Sequence, residues 1–142
     1  SREAVELARQ NADLNGLSGC MSFETANVFD LLSALPNRSY DYIILDPPAF
    51  TKSHHTVDAA LRGYKQINLR AMKLLPRGGY LATCSCSHFM TEELFCRMLR
   101  SAALDAKVSL RQIEARQQAA DHPILWNVPQ TNYLKFYLFQ VV

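Results

Sequence analysis

The chain has 142 residues, 49% of them hydrophobic and 20% charged, with a formal net charge of +2. This is ordinary globular composition, sufficient for one modest domain with its own core, and it excludes disorder and low complexity. No apolar run approaches the roughly 20 residues of a membrane helix, Ser1-Arg2-Glu3-Ala4 does not open a secretory leader, and so small a charge permits nucleic-acid binding without arguing for it.

In chain order, apolar residues at Ala4, Val5, Leu7, Ala8, Ala12 and Leu14 predict a helix over 3–15, stopped by Gly16. Cys20 to Thr25 is a short strand candidate. Asn27 caps a second helix, ended by Pro36-Asn37. Asp41 to Leu45 has the near-continuous apolar run of a buried parallel strand. Residues 46–56 form a polar loop, and Val57 to Leu75 a long helix closed by Pro76-Arg77-Gly78-Gly79. Tyr80 to Cys86 is the next strand. Thr91 caps a helix running to about Ala106, Val108 to Glu114 alternates as a strand, residues 116–131 are irregular, and Tyr133 to Val142 is a long apolar final strand. Such alternation predicts an α/β fold with a mostly parallel sheet, in a single domain over 1–142. Four cysteines without a disulfide-like spacing point to a reduced, cytoplasmic setting.

Chemistry concentrates at two strand ends. A strand-helix-strand unit makes parallel neighbours whose ligands sit beyond the carboxyl ends. Asp46-Pro47-Pro48 and Cys84-Ser85-Cys86 therefore meet in one crevice if their strands are neighbours. Prolines stop strands, and an Asp beside them can be a cap. They also stiffen a backbone whose carbonyls can accept from a planar substrate. Cys84 and Cys86 share strand parity. Either can be a small core residue, and a thiol at the strand end is well placed as a nucleophile. A metal set of Cys84, Cys86 and His88 with His54 or His55 lacks the usual Cys-x-x-Cys clasp, so no metal is expected. Lys52, His54, His55, Arg62, Tyr64 and Lys65 are either a solvated loop and helix face or phosphate contacts with a stacking aromatic. Asp121-His122-Pro123 is an exposed-looking turn in which a lone His is more often structural.

These residues together resemble the bacterial large-subunit (23S) ribosomal RNA cytosine-C5 methyltransferases, which use S-adenosylmethionine. The resemblance runs through Ala8-Arg9-Gln10-Asn11, Asn27-Val28-Phe29, Leu45-Asp46-Pro47-Pro48-Ala49-Phe50, Arg62-Gly63-Tyr64-Lys65, Leu75-Pro76-Arg77-Gly78-Gly79, Cys84-Ser85-Cys86-Ser87, Asp121-His122-Pro123 and Tyr133-Leu134-Lys135. It implies a Rossmann-like class I methyltransferase fold with an antiparallel final strand. It implies Cys86 as a covalent nucleophile, with Asp46 at the cytosine edge. Asn27, Val28, Asp46 and Pro47 are then expected at the cofactor, and Pro48, Phe50, Lys52, Tyr64 and His122 at the RNA.

The chain departs from the family pattern in three ways. Asn27 stands where the family carries Asp. Ala49 and Phe50 follow the prolines, where related enzymes carry a second Cys. The first motif, with its glycine-rich loop and first two strands, is absent. The expectation is therefore a partial catalytic domain that binds S-adenosylmethionine weakly alone and exposes sheet edges able to pair with a second copy. Two other readings stand beside it: methyl transfer to a guanine or adenine nitrogen, and a non-catalytic interaction fragment.

Overall fold

A computed structural model describes residues 1–50 and 54–142. The chain divides into two compact units, Ser1–Leu31 and Leu32–Val142.

In the first unit, helix α1 spans Arg2–Leu14. The Ser1 hydroxyl accepts from the Ala4 N–H at 3.2 Å, satisfying one of the amides left open in the first turn. Its end is a Schellman turn: Leu17 N–H reaches back to the Ala12 carbonyl at 2.8 Å, with Gly16 at φ +67°. The strand expected over Cys20–Thr25 does not form. Cys20 sits in a turn, its N–H on the Leu17 carbonyl at 3.0 Å, and no strand among the described residues pairs with this segment. An extended segment becomes a strand only when a neighbour takes its backbone hydrogen bonds. Helix α2 spans Val28–Ala34, and the Asn27 side-chain oxygen accepts from Phe29 N–H at 3.1 Å, as the cap reading requires.

The second unit holds a sheet of β1 (Tyr42–Leu45), β2 (Tyr80–Ser85), β3 (Leu110–Arg116) and β4 (Lys135–Val141), in the order β1-β2-β4-β3. β1 and β2 pair in parallel, and β4 is antiparallel to both of its neighbours. Thus β1, β2 and β3 run one way and the last strand runs back between two of them, as the resemblance implied. β3 begins two residues later than the alternation suggested and carries a register shift between Gln112 and Glu114. That bulge leaves Ile113 46% exposed.

Helix α3 (Val57–Leu74) links β1 to β2, and α4 (Glu92–Ala106) links β2 to β3. Ala60, Tyr64, Ile67, Asn68, Ala71 and Met72 form the buried stripe of α3. α4 buries Phe95, Met98, Leu99, Ala102 and Ala103, and the Thr91 hydroxyl caps it by accepting from Leu94 N–H at 3.3 Å. The spacing of three and four in both helices makes each a one-sided helix whose apolar stripe must be covered. Both lie on one face of the sheet. Thr83 and Tyr137 are cross-strand partners; Thr83 bonds to Asn68 of α3 and Tyr137 to Glu92 of α4. The close approach at Gly79, where a Cβ would lie 3.2 Å from the Asp41 carbonyl, lets the turn after α3 enter β2 beside β1. Among the described residues no helix is long and apolar enough to cross a membrane.

Candidate active site

The parallel register sets Leu45 opposite Thr83, so the residues leaving β1 come level with the end of β2. The two strand ends meet through hydrogen bonds. The Cys84 thiol donates to an Asp46 carboxylate oxygen at 3.2 Å and to the Leu45 carbonyl at 3.4 Å. Burial, and then the neighbouring Asp46 carboxylate, push the Cys84 thiol up to about 12. A thiol so placed stays protonated and serves as a donor, not as a nucleophile.

Cys86 lies one residue past the end of β2 and is exposed, whereas Cys84 is buried. The parity argument joined them on one face. The strand ends at Ser85, and that separates their surroundings. Cys86 interacts electrostatically with Cys84, with Tyr64 and with the Lys135 ammonium. Asp46 and Pro48 are also exposed and Pro47 is half-buried, so the carboxylate and the Cys86 thiol both face solvent at the strand ends.

Beneath them, a buried polar network ties α3 to β2. The Thr83 hydroxyl donates to the Asn68 side-chain oxygen at 2.8 Å, and the Asn68 amide donates to the Tyr64 carbonyl at 2.9 Å. The Ser85 hydroxyl donates to the Tyr64 hydroxyl at 3.0 Å. A hydrogen bond to the Phe50 backbone brings the loop after Pro47-Pro48 to the same phenol. Burial holds the Tyr64 phenol above its ordinary range.

This network corrects one expectation. Tyr64, expected as a stacking aromatic at the RNA, has no exposed surface. Its place in the α3 stripe, four residues after Ala60 and three before Ile67, directs it into the core, where Ser85 and Phe50 satisfy its hydroxyl. Phe50 is half-buried against it, with ring centroids 4.6 Å apart. His122 is exposed, with its Nδ1 3.2 Å from the Tyr133 hydroxyl. Lys52 lies outside the described residues. Asn27 and Val28 are both exposed and belong to the first unit, where the Asn27 oxygen is committed to its helix. Among the described residues, no group of three His, Cys, Asp or Glu side chains is placed to hold a metal ion.

Two features went unseen in the sequence. One is the Cys84–Asp46 bond. The other is Lys135, the first residue of β4, which is only 8% exposed. Its ammonium donates to the Ser87 carbonyl at 2.6 Å and to the Tyr133 carbonyl at 2.8 Å. Burial lowers its pKa to about 8, against smaller opposing effects of Cys86 and Glu92. A lysine inside the long apolar run from Tyr133 to Val142 was the available signal.

A family model described as a methyltransferase domain matches residues 1–133. The chain is 42% identical, over its whole length, to the ribosomal RNA large subunit methyltransferase I of Erwinia tasmaniensis, and spans 37% of that protein. It is 41% identical to the proteins of the same name from Shigella dysenteriae and Escherichia coli, spanning 36% and 37% of them. Among solved structures it resembles the methyltransferase SMU.776 complexed with SAH, at a TM-score of 0.77 and 20% identity, over 99% of this chain and 37% of that one. It also resembles TrmN from Thermus thermophilus, at a TM-score of 0.63 and 21% identity, over 100% of this chain and 34% of that one. The fold is the Rossmann-like methyltransferase fold, and on the family match across nearly its full length the chain belongs to the methyltransferase-domain family.

Proposed function

We propose that the chain is the acceptor side of an S-adenosylmethionine-dependent methyltransferase that forms 5-methylcytosine in large-subunit ribosomal RNA. The observation that carries this reading is the juxtaposition of Asp46 with the Cys84–Cys86 segment at the carboxyl ends of β1 and β2. The relatives named as ribosomal RNA large subunit methyltransferases support the RNA substrate.

Cytosine C5 is a weak nucleophile. The Cys86 thiolate adds to C6 of a base taken out of its stack, forming an S–C6 bond and pushing the C5=C6 electron pair onto C5. Bound S-adenosylmethionine supplies the electrophilic methyl group that C5 then takes. Loss of the C5 proton to a general base and cleavage of the S–C6 bond restore the ring double bond and the Cys86 thiolate. Asp46, one oxygen held by Cys84, presents its other oxygen to the amino edge of the cytosine. Pro47 and Pro48 shape the wall of the base pocket, with Phe50 behind them on Tyr64.

With the Asn27 oxygen used as a cap, its side-chain amide N–H is what it offers an adenine. The decisive experiment uses the full-length enzyme and an RNA carrying 5-fluorocytosine. The fluorine blocks loss of the C5 substituent, so a covalent complex accumulates and maps to Cys86. Turnover retained by Cys86→Ala would overturn the reading in favour of a nitrogen acceptor.

A further inference from the structure

Resting on the reading that the methyl acceptor is RNA, we propose that a groove along one end of the sheet carries the single-stranded RNA beside the target base, with phosphates at Lys135 and Arg116 and a base stacked on Trp126. Strand order lays this groove out. In the order β1-β2-β4-β3, Asp46 follows the last residue of β1, Cys86 follows the last residue of β2, Lys135 opens β4 and Arg116 closes β3. Ser85 pairs with Lys135, and Arg116 pairs with Phe136, the next residue of β4. The proposed nucleophile and the two cations therefore stand on successive strands at the same end of the sheet.

Two cavities lie there. One, of about 440 Å³, is lined in part by His88, Glu92, Arg116, Gln117, Asn132 and Lys135. The other, of about 410 Å³, is lined by Leu125 and Trp126 and shares Gln117, Pro129 and Asn132 with the first. The shared wall makes them one groove. It starts at His88, two residues past Cys86, and ends at Trp126.

The near part of the groove offers donors and positive charge. The Lys135 ammonium is fixed by the Ser87 carbonyl at 2.6 Å and the Tyr133 carbonyl at 2.8 Å, which use two of its three donors. Glu114 takes Nε and Nη2 of Arg116 at 2.8 and 3.1 Å and leaves the Nη1 edge. That pair is 68% and 41% exposed, so it holds the guanidinium weakly. His88, exposed on the same wall, adds an imidazole that can donate. Among the described residues lining either cavity Glu92 is the one carboxylate, and the Tyr137 hydroxyl occupies it at 2.5 Å. Phosphate oxygens are the acceptors that such donors hold in a nucleic-acid strand.

The far part offers a stacking surface. Trp126 is 96% exposed and Leu125 50%. The turn that presents them is pinned. The Thr131 hydroxyl accepts from Leu125 N–H at 2.8 Å and donates to the Val128 carbonyl at 2.8 Å, and Val128 N–H reaches the Leu125 carbonyl at 2.9 Å. The Gln118 side-chain amide donates to the Thr131 carbonyl and ties the turn to the chain leaving β3. An indole on a fixed turn loses little freedom when a base lies on it, and every base has a face to stack. Between the two parts, the side-chain amides of Gln117 and Asn132 have no partner among the described residues. Amides of this kind meet the edges of unstacked bases.

The test measures binding apart from chemistry. Full-length enzyme is titrated against a fluorescein-labelled oligocytidylate of about six nucleotides, and anisotropy is followed over a range of salt concentrations. Arg116→Gln should weaken binding about fivefold and flatten the slope of log affinity against log salt by about 0.7, the loss of one phosphate contact on a single strand. Trp126→Ala should weaken binding about tenfold with the slope unchanged, because stacking releases no counterions. Trp126→Tyr keeps a stacking ring and should stay within about threefold of wild type. Wild-type affinity in either Arg116→Gln or Trp126→Ala, in protein with an unchanged circular-dichroism spectrum, overturns the proposal. So does a wild-type enzyme that does not bind the oligonucleotide. The cytosine-C5 reading fails separately, through turnover by Cys86→Ala. An active Cys86→Ala, with binding weakened in the two groove variants, keeps the groove as the RNA path to a nitrogen acceptor. An inactive Cys86→Ala, with wild-type binding in those variants, removes only the groove.

Discussion

The Cys84 thiol donates to the Asp46 carboxylate at 3.2 Å, across the gap between two parallel strands. The cysteine and the aspartate thus form one unit in which the thiol orients the carboxylate. Cys84 is the inner, protonated thiol, and Cys86 is the exposed one.

Alkylation separates the two. With its pKa near 12, Cys84 is ionised to only about one part in ten thousand at pH 8. Iodoacetamide at that pH should modify the exposed Cys20 and Cys86 while leaving Cys84 intact in folded protein. Peptide mapping checks this, and early modification of Cys84 would contradict the buried donor role.

Turnover separates them again. Cys86→Ala should abolish methyl transfer in the full-length enzyme. Cys84→Ala removes only a donor to Asp46, worth about 1–2 kcal/mol, so activity should fall about tenfold without being lost. Methyl incorporation into RNA by both variants gives the comparison.

The phenol of Tyr64 supports the site from below. Tyr64→Phe removes the oxygen that takes the Ser85 hydroxyl and the Phe50 backbone bond, leaving a buried hydroxyl without this partner. A loss of about 1–2 kcal/mol in unfolding free energy is expected from urea denaturation. Stability unchanged within error would show that the bond contributes nothing net.

Lys135 also gives stability a pH dependence of known sign. Its folded pKa is near 8 and its ordinary value is 10.5, so between them the unfolded chain binds more protons than the folded one. Stability from this group therefore rises as pH climbs through 8, by at most about 1.4 kcal/mol per pH unit. Cys84 works oppositely, but only once its unfolded thiol starts to ionise near 9.0. Denaturation at pH values just below and just above 8 should show the rise in wild type and none in Lys135→Met.

Much of the architecture was legible beforehand. The apolar runs at Tyr42–Leu45 and Tyr80–Ser85, with one amphipathic helix between them, are enough to predict parallel neighbours whose carboxyl ends lie side by side. Caps at Asn27 and Thr91 were readable too, because a cap is decided by a side chain and an amide two or three residues away. The Cys20–Thr25 segment was misjudged because strand formation depends on a partner that local composition does not reveal.

By itself, then, the sequence determined the alternation of helix and strand and the chemical identity of the two strand ends, since both depend on periodicities and neighbours within a few residues. Only the tertiary structure decided which groups share surroundings. Strand order brought Lys135 beside Ser85 across 50 residues of chain, and parallel register set Asp46 against Cys84. The rotation of α3 buried Tyr64 instead of offering it to a base. Those outcomes rest on non-local packing, in which a side chain's role is set by what the sheet carries next to it.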